Sequence, residues 1–125
     1  MTTSTGIEGW GEGYGPFGLV KAAIEFFRPF VLGMKALEHE NVWEIMYRRS
    51  LDFGRRGVFL AGLSAIDIAL WDIKGKFFNL PISILLGGIK NKNITPYATG
   101  FYFDTSIFFT QLYLSSVLVL PQFLP

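Results

Sequence analysis

A chain of 125 residues, half of them hydrophobic and 17% aromatic, carries enough apolar surface to bury a core, which excludes disorder over most of its length. The formal net charge of +1 gives no electrostatic ground for nucleic acid or an anionic membrane surface as a partner. With no cysteine, disulfides, thiolate metal sites and cysteine nucleophiles are excluded.

Residues 1–6 lack the basic-then-apolar pattern of a secretory signal, and with the missing cysteines this is compatible with a cytoplasmic location. Residues 5–12 read as a short strand, with Ile7 and Trp10 set among small residues and glycines. Residues 13–18 alternate glycine with Tyr14, Pro16 and Phe17 and read as a loop. A first helix is predicted over 19–27, with Val20, Ala23, Ile24 and Phe27 on one face and Pro29 making Arg28 its end. A second is predicted over 38–51: Glu38 and Glu40 open it and Arg48 and Arg49 close it, the order favoured by the helix dipole. Val42, Ile45, Met46 and Arg49 lie near one face, with Trp43 and Tyr47 paired four apart. The longest helix runs from about 58 to 76, its buried stripe being Leu63, Ile66, Ala69, Leu70 and Ile73, with Asp72 and Lys76 an exposed pair. Pro81 opens a short helix over 82–86 that Gly87 and Gly88 stop. Residues 94–99 form a strand candidate.

Four features in this order carry a resemblance: Gly9-Trp10-Gly11-Glu12, a helix pair, Ser64-Ala65-Ile66-Asp67 with Trp71-Asp72, and Leu85-Leu86-Gly87-Gly88. Over residues 6–100 the chain resembles the N-terminal capping domain of the mandelate racemase and muconate lactonizing enzyme group of the enolase superfamily. The resemblance implies an α+β fold: a partial capping domain, strand plus helical bundle, over 1–92, the first strand of a truncated TIM-like barrel over 93–103, and a divergent apolar tail over 104–125. It implies a magnesium-dependent parent enzyme, an acid-sugar dehydratase or racemase that removes the proton alpha to a carboxylate. Its catalytic lysines, metal-binding carboxylates and opposing base belong to later barrel strands. A complete barrel takes about 200–250 residues, so no catalytic residue and no metal ligand is assigned in this chain, which by itself is expected to be inactive. In the family the loop after the third strand folds over the barrel mouth and helps select substrate. Tyr14 and Phe17 are the matching substrate-loop candidates, against the alternative that these aromatics pack on the neighbouring helix.

Other residues invite chemistry and are set aside. Lys74-Gly75-Lys76 spells the family's catalytic Lys-x-Lys, but residues two apart share a face on a strand and not on a helix, where terminal lysines complement the dipole. Glu8 and Glu12 lack a pocket that would make carboxylates an acid–base pair. Asp67 reads as a capping or inter-helix acceptor. His39 has no identifiable partner and reads as solvated. Arg48, Arg49, Arg55 and Arg56 read as solvated charges at a helix end and a loop.

Residues 105–125 contain no charge. Polar interruptions and Pro121 leave them short of the roughly 20 continuous apolar residues of a membrane span, which argues against a membrane protein. Two further readings stay open: a non-catalytic module that pairs with a separately encoded barrel or with copies of itself, and a small membrane-associated protein anchored by the tail.

Overall fold

The computed structural model describes residues 1–54 and 56–96, and four α-helices account for most of them. They are α1 (Phe17–Val31), α2 (His39–Ser50), α3 (Val58–Phe78) and α4 (Ile82–Leu85), with a 3₁₀ turn, Leu51–Phe53, after α2. Helix α3 organises the rest, packing most extensively on α1 and then on α2. Every member of its predicted stripe is buried, and Leu63, Ile66, Leu70 and Ile73 cluster with Phe27 and Val31 from α1 and Val42 and Met46 from α2. At Gly62 the helices approach so closely that a Cβ would lie 2.7 Å from that of Ala23.

The helix ends follow from local chemistry. Helix α3 stops at Asn79, in the left-handed conformation (φ 52°, ψ 43°), where the Leu80 amide returns to the Gly75 carbonyl at 3.0 Å and the Asn79 amide to Lys76 at 3.2 Å. This is a Schellman-type ending, with asparagine in the place glycine usually fills. Pro81 precedes α4 as predicted, and the helix ends at Leu85, one residue short of the predicted 86. Helix α1 runs past its predicted end, with Pro29 inside it and Val31 as its last residue. An interior proline costs about 3 kcal/mol, but here it falls in the final turn. Continuing the helix buries Val31 beside Phe27, and full burial of such a side chain contributes about 1.5–3 kcal/mol.

The expected α+β architecture is not what forms. Among the described residues there is no strand, only an isolated antiparallel bridge between Thr2 and Glu8. Residues 1–9 double back in a small hairpin: the Thr3 amide bonds to Ile7 O at 2.9 Å and the Gly9 amide to Met1 O at 2.8 Å. The strand expected over 5–12 fails because its second half turns its glycines against α3 instead of pairing with another strand. Two short legs of hairpin are marginal without a third strand. Of the barrel strand expected over 93–103, residues 93–96 are not in strand conformation, and the remainder lies outside the described residues, as does the tail over 104–125.

Residues Met1–Ile89 make one compact unit. Lys90–Pro125 belong to a second, in which the described residues 90–96 are exposed. No helix among the described residues is long and apolar enough to cross a membrane.

Candidate substrate-loop site

The chain from Gly9 to Pro16 carries no regular structure, yet its path is tightly specified. A Cβ on Gly9 would collide with the carbonyl oxygen of Ala69, one on Gly11 with that of Ala65, and one on Gly13 would lie 2.7 Å from that of Ala61. Alternate residues of the segment therefore meet every fourth residue of α3, and the two run in opposite directions. The repeats match in length. Two extended residues span about 6.6 Å and four helical residues about 6.0 Å.

Polar contacts fasten the start of this segment. The Trp10 amide donates to Asp72 Oδ2 at 2.8 Å, and Lys76 Nζ donates both to that oxygen and to the Glu8 carbonyl, each at 2.7 Å. The Lys76 ammonium and then the Trp10 amide hold the Asp72 carboxyl below the usual carboxylate range. The expected exposed pair of Asp72 and Lys76 exists, and it also ties α3 to the loop, a role its spacing within one helix could not reveal.

Beyond the contact with α3 the aromatic residues stand free. Tyr14 is 90% exposed and Phe17 82%, and Trp10, between two anchoring glycines, is 74% exposed. Neither Tyr14 nor Phe17 is buried against a neighbouring helix. Phe17 differs from its predicted place: it is the first residue of α1, behind Pro16, so the loop is shorter than the expected 13–18. Lys21, one turn on, lies 6.0 Å from its ring centroid.

The other titratable residues are dispersed. Glu8 and Glu12 are exposed. Lys74 sits over the Trp71 ring at 4.9 Å while Lys76 holds the loop, so the two lysines of the Lys-Gly-Lys sequence serve different partners. His39 is buried, contrary to the solvated reading: it lies edge-on to Trp71 at 4.4 Å, with Nε2 3.6 Å from Asp67 Oδ1. The signal was present, because His39, Val42, Met46 and Ser50 recur at helical spacing and all four are buried. Burial pushes the Asp67 carboxyl up, with the His39 charge opposing it. Arg48 pairs with Glu44 at 2.6 Å and Arg49 lies 4.8 Å from the Phe30 ring, both on exposed surface; Arg55 lies outside the described residues.

Among the described residues no group of three His, Cys, Asp or Glu side chains could hold a metal ion. A cavity of about 400 Å³ beneath the hairpin is bounded by Met1, Val31, Met34, Val42, Leu70 and Ile73 among others, and none of the loop residues reaches it. What the described residues present here is thus a fastened loop with outward aromatics.

Comparison with known proteins places this arrangement. Residues 1–87 match the model described as mandelate racemase / muconate lactonizing enzyme, N-terminal domain. Arabinonate dehydratase of Saccharolobus solfataricus is 44% identical over 107 residues, covering 83% of this chain and 28% of that protein. The crystal structure of the 3,6-anhydro-D-galactonate cycloisomerase from Zobellia galactanivorans is similar at a TM-score of 0.79 and 53% identity, over 93% of this chain and 33% of that one. A mandelate racemase/muconate lactonizing protein from Paracoccus denitrificans PD1222, crystallised with magnesium, has a TM-score of 0.64 at 38% identity, over 72% of this chain and 25% of that one. The chain spans about a quarter of the length of the curated relatives it matches.

Proposed function

The chain belongs to the mandelate racemase / muconate lactonizing enzyme family through that N-terminal domain, and on this premise we propose that it supplies the substrate-selecting part of a magnesium-dependent enzyme acting on acid sugars. The reaction class is abstraction of a proton alpha to a carboxylate, leading to dehydration or cycloisomerisation, the activities named for its relatives. The observation that carries this reading is the pairing of an anchored stem with a free tip: residues 8–13 are held to α3, while Tyr14 and Phe17 stand in solvent. Large aromatic residues exposed on a held loop suit closure over a sugar ring, since loops set on rigid scaffolds commonly carry binding residues. The described residues do not fit a metal, so no step of the chemistry is assigned to them. The bond-breaking groups belong to a catalytic barrel that this loop would cover.

The test is complementation. The chain is mixed with the portion of the Zobellia galactanivorans cycloisomerase that it does not match, and magnesium-dependent turnover is followed by NMR on 3,6-anhydro-D-galactonate and on a panel of aldonic and aldaric acids. Neither piece alone should turn over substrate, and the mixture should. Tyr14→Ala in the active mixture should raise KM about tenfold, roughly 1.4 kcal/mol of binding, with a smaller change in kcat. A mixture that associates but stays inactive on every acid sugar would sink the reading. So would turnover by the chain alone.

A further inference from the structure

The connection from α1 to α2 is thinly anchored. Among the described residues between Val31 and Val42, His39 alone is fully buried, while Met34 and Ala36 rest half-buried on the core. Helix α2 begins behind Glu38, whose side chain makes no capping hydrogen bond, so the usual fastening of a first helical turn is missing. The backbone bonds of the stretch are local: the Met34 amide donates to the Val31 carbonyl at 3.1 Å, that of Glu38 to Lys35 at 3.0 Å and that of Val42 to Glu38 at 3.2 Å. Leu32, Met34 and Ala36 wall the cavity beneath the hairpin. Residues 32–41 are therefore a strap along that cavity, with buried Val31 at one end and buried His39 near the other.

The pin at His39 is chemically incomplete. Its Nε2 faces Asp67 Oδ1 of α3 at 3.6 Å, and among the described residues neither that oxygen nor His39 Nδ1, both buried, has a hydrogen-bond partner. Protonation makes Nε2 a charged donor, and an approach of roughly 0.8 Å would then give a charge-assisted bond of about 2.8 Å. In the neutral ring the contact is weaker, and with the proton on Nδ1 it sets a lone pair against the carboxylate. Trp71 lies edge-on to the ring at 4.4 Å and limits its tilt. The other charged groups bordering His39 are Glu38 and Glu40 at the start of α2, which attract an imidazolium, and Lys74 on α3, which repels it. Lys35 is engaged by Glu38 at 3.0 Å.

We propose that His39 and Asp67 form a proton-operated clamp that pins residues 32–41 to α3, closing as an imidazolium–carboxylate pair and slackening when either group loses its charge. Its grip is greatest in a pH window bounded below by protonation of Asp67 and above by loss of the imidazolium proton. The clamp sets how firmly one wall of the cavity is held. It is independent of the substrate-loop reading, because Tyr14 and Phe17 do not reach that cavity.

The test follows amide protection factors of Met34, Glu38 and Val42 with pH in the full chain. Wild type is compared with His39→Gln, Asp67→Asn and the double variant, beside an NMR titration of the His39 ring nitrogens. In wild type the three amides should be about fivefold better protected when the imidazole is charged than when it is neutral. Protection should fall again at the acid end, at a pH above the ordinary Asp value of 3.8. The Leu63 and Leu70 amides of α3 should follow neither change. Either single variant should abolish the difference, and the double variant should lose no more than the singles. His39→Gln keeps a neutral donor, so it separates loss of charge from loss of the contact. The burial cost of Asp67 enters both arms of this cycle and cancels, which keeps the result distinct from the overall stability of Asp67→Asn.

Equal protection on both sides of the imidazole titration would overturn the proposal. A pH difference that survives His39→Gln would do the same, by handing the effect to Glu38 or Glu40. So would a parallel loss at Leu63 and Leu70, which would make the change global and not a release of the strap.

Discussion

Asp67 and Asp72 lie on the same helix and titrate in opposite directions, each for a reason visible in its neighbours. Burial raises the Asp67 carboxyl above its ordinary 3.8, because desolvation outweighs the attraction of His39. The Asp72 carboxyl is lowered by Lys76 and the Trp10 amide. A raised acid favours the folded state while protonated, so its contribution to stability declines as pH rises from 3.8 through the folded value. A lowered acid contributes stability that is present above 3.8 and lost as pH falls through the folded value. Thermal melts between pH 3 and 7 should therefore show the Tm of Asp67→Asn rising relative to wild type with increasing pH, and that of Asp72→Asn falling. An Asp67→Asn chain that loses ground at neutral pH would mean that the His39 contact outweighs desolvation. Neither carboxylate's environment was legible from sequence. The spacing placed Asp72 beside Lys76, but the Trp10 and Glu8 partners lie 62 and 68 residues away from their respective side chains along the chain.

The helices were legible and the strand was not, for a common reason. Leu63, Ile66, Ala69, Leu70 and Ile73 recur at a helical period, and the same period is what packs α3 against its neighbours. In residues 9–13 the period is two, which reads as a strand, but the repeating residue is glycine and the surface it meets is a helix. Alternation reveals an extended backbone; it does not reveal what that backbone lies against. Glycine itself has opposite value at different places in these elements. Gly18 lies in the first turn of α1 with no atom within 4 Å of a built Cβ, so Gly18→Ala should stabilise by about 0.5–1 kcal/mol through helix propensity. Gly62→Ala gains the same propensity but presses a methyl group to 2.7 Å from that of Ala23 in the buried α1–α3 contact. Overpacking of that kind costs about 1–3 kcal/mol, which outweighs the propensity gain, so the net change should be destabilising, by up to about 2.5 kcal/mol. Urea melts of the two variants should move to opposite sides of wild type, and a stabilised Gly62→Ala would show that α1 can draw back from α3 at little cost.

At the scale of the molecule, the buried hydrophobic residues among those described all fall between Val20 and Ile73, on α1, α2 and α3. The hairpin, the fastened loop and α4 are attached to this three-helix core, which lies wholly within the unit Met1–Ile89. A fragment ending at Ile89 should consequently keep its helical circular dichroism and a cooperative melt, being slightly longer than the roughly 70–80 residues below which a single core rarely suffices. Leu70, 1% exposed, is the sensitive probe: Leu70→Ala should cost about 2–5 kcal/mol, enough to unfold a fragment of marginal stability. Association is a separate matter. Phe77, Phe78, Leu80, Ile84, Leu86 and Ile89 are each between 44% and 63% exposed over the end of α3 and the residues after it. A run of exposed large apolar side chains is a candidate surface for association, and a second copy of the chain is the partner that the following measurement tests. Sedimentation of the 1–89 fragment should then show concentration-dependent self-association, suppressed by Leu86→Lys and Ile89→Lys with the helical signal intact. A fragment that is monomeric at high concentration and indifferent to both substitutions would remove self-association from the account. One that loses its helices on truncation would place part of the core's support beyond Ile89.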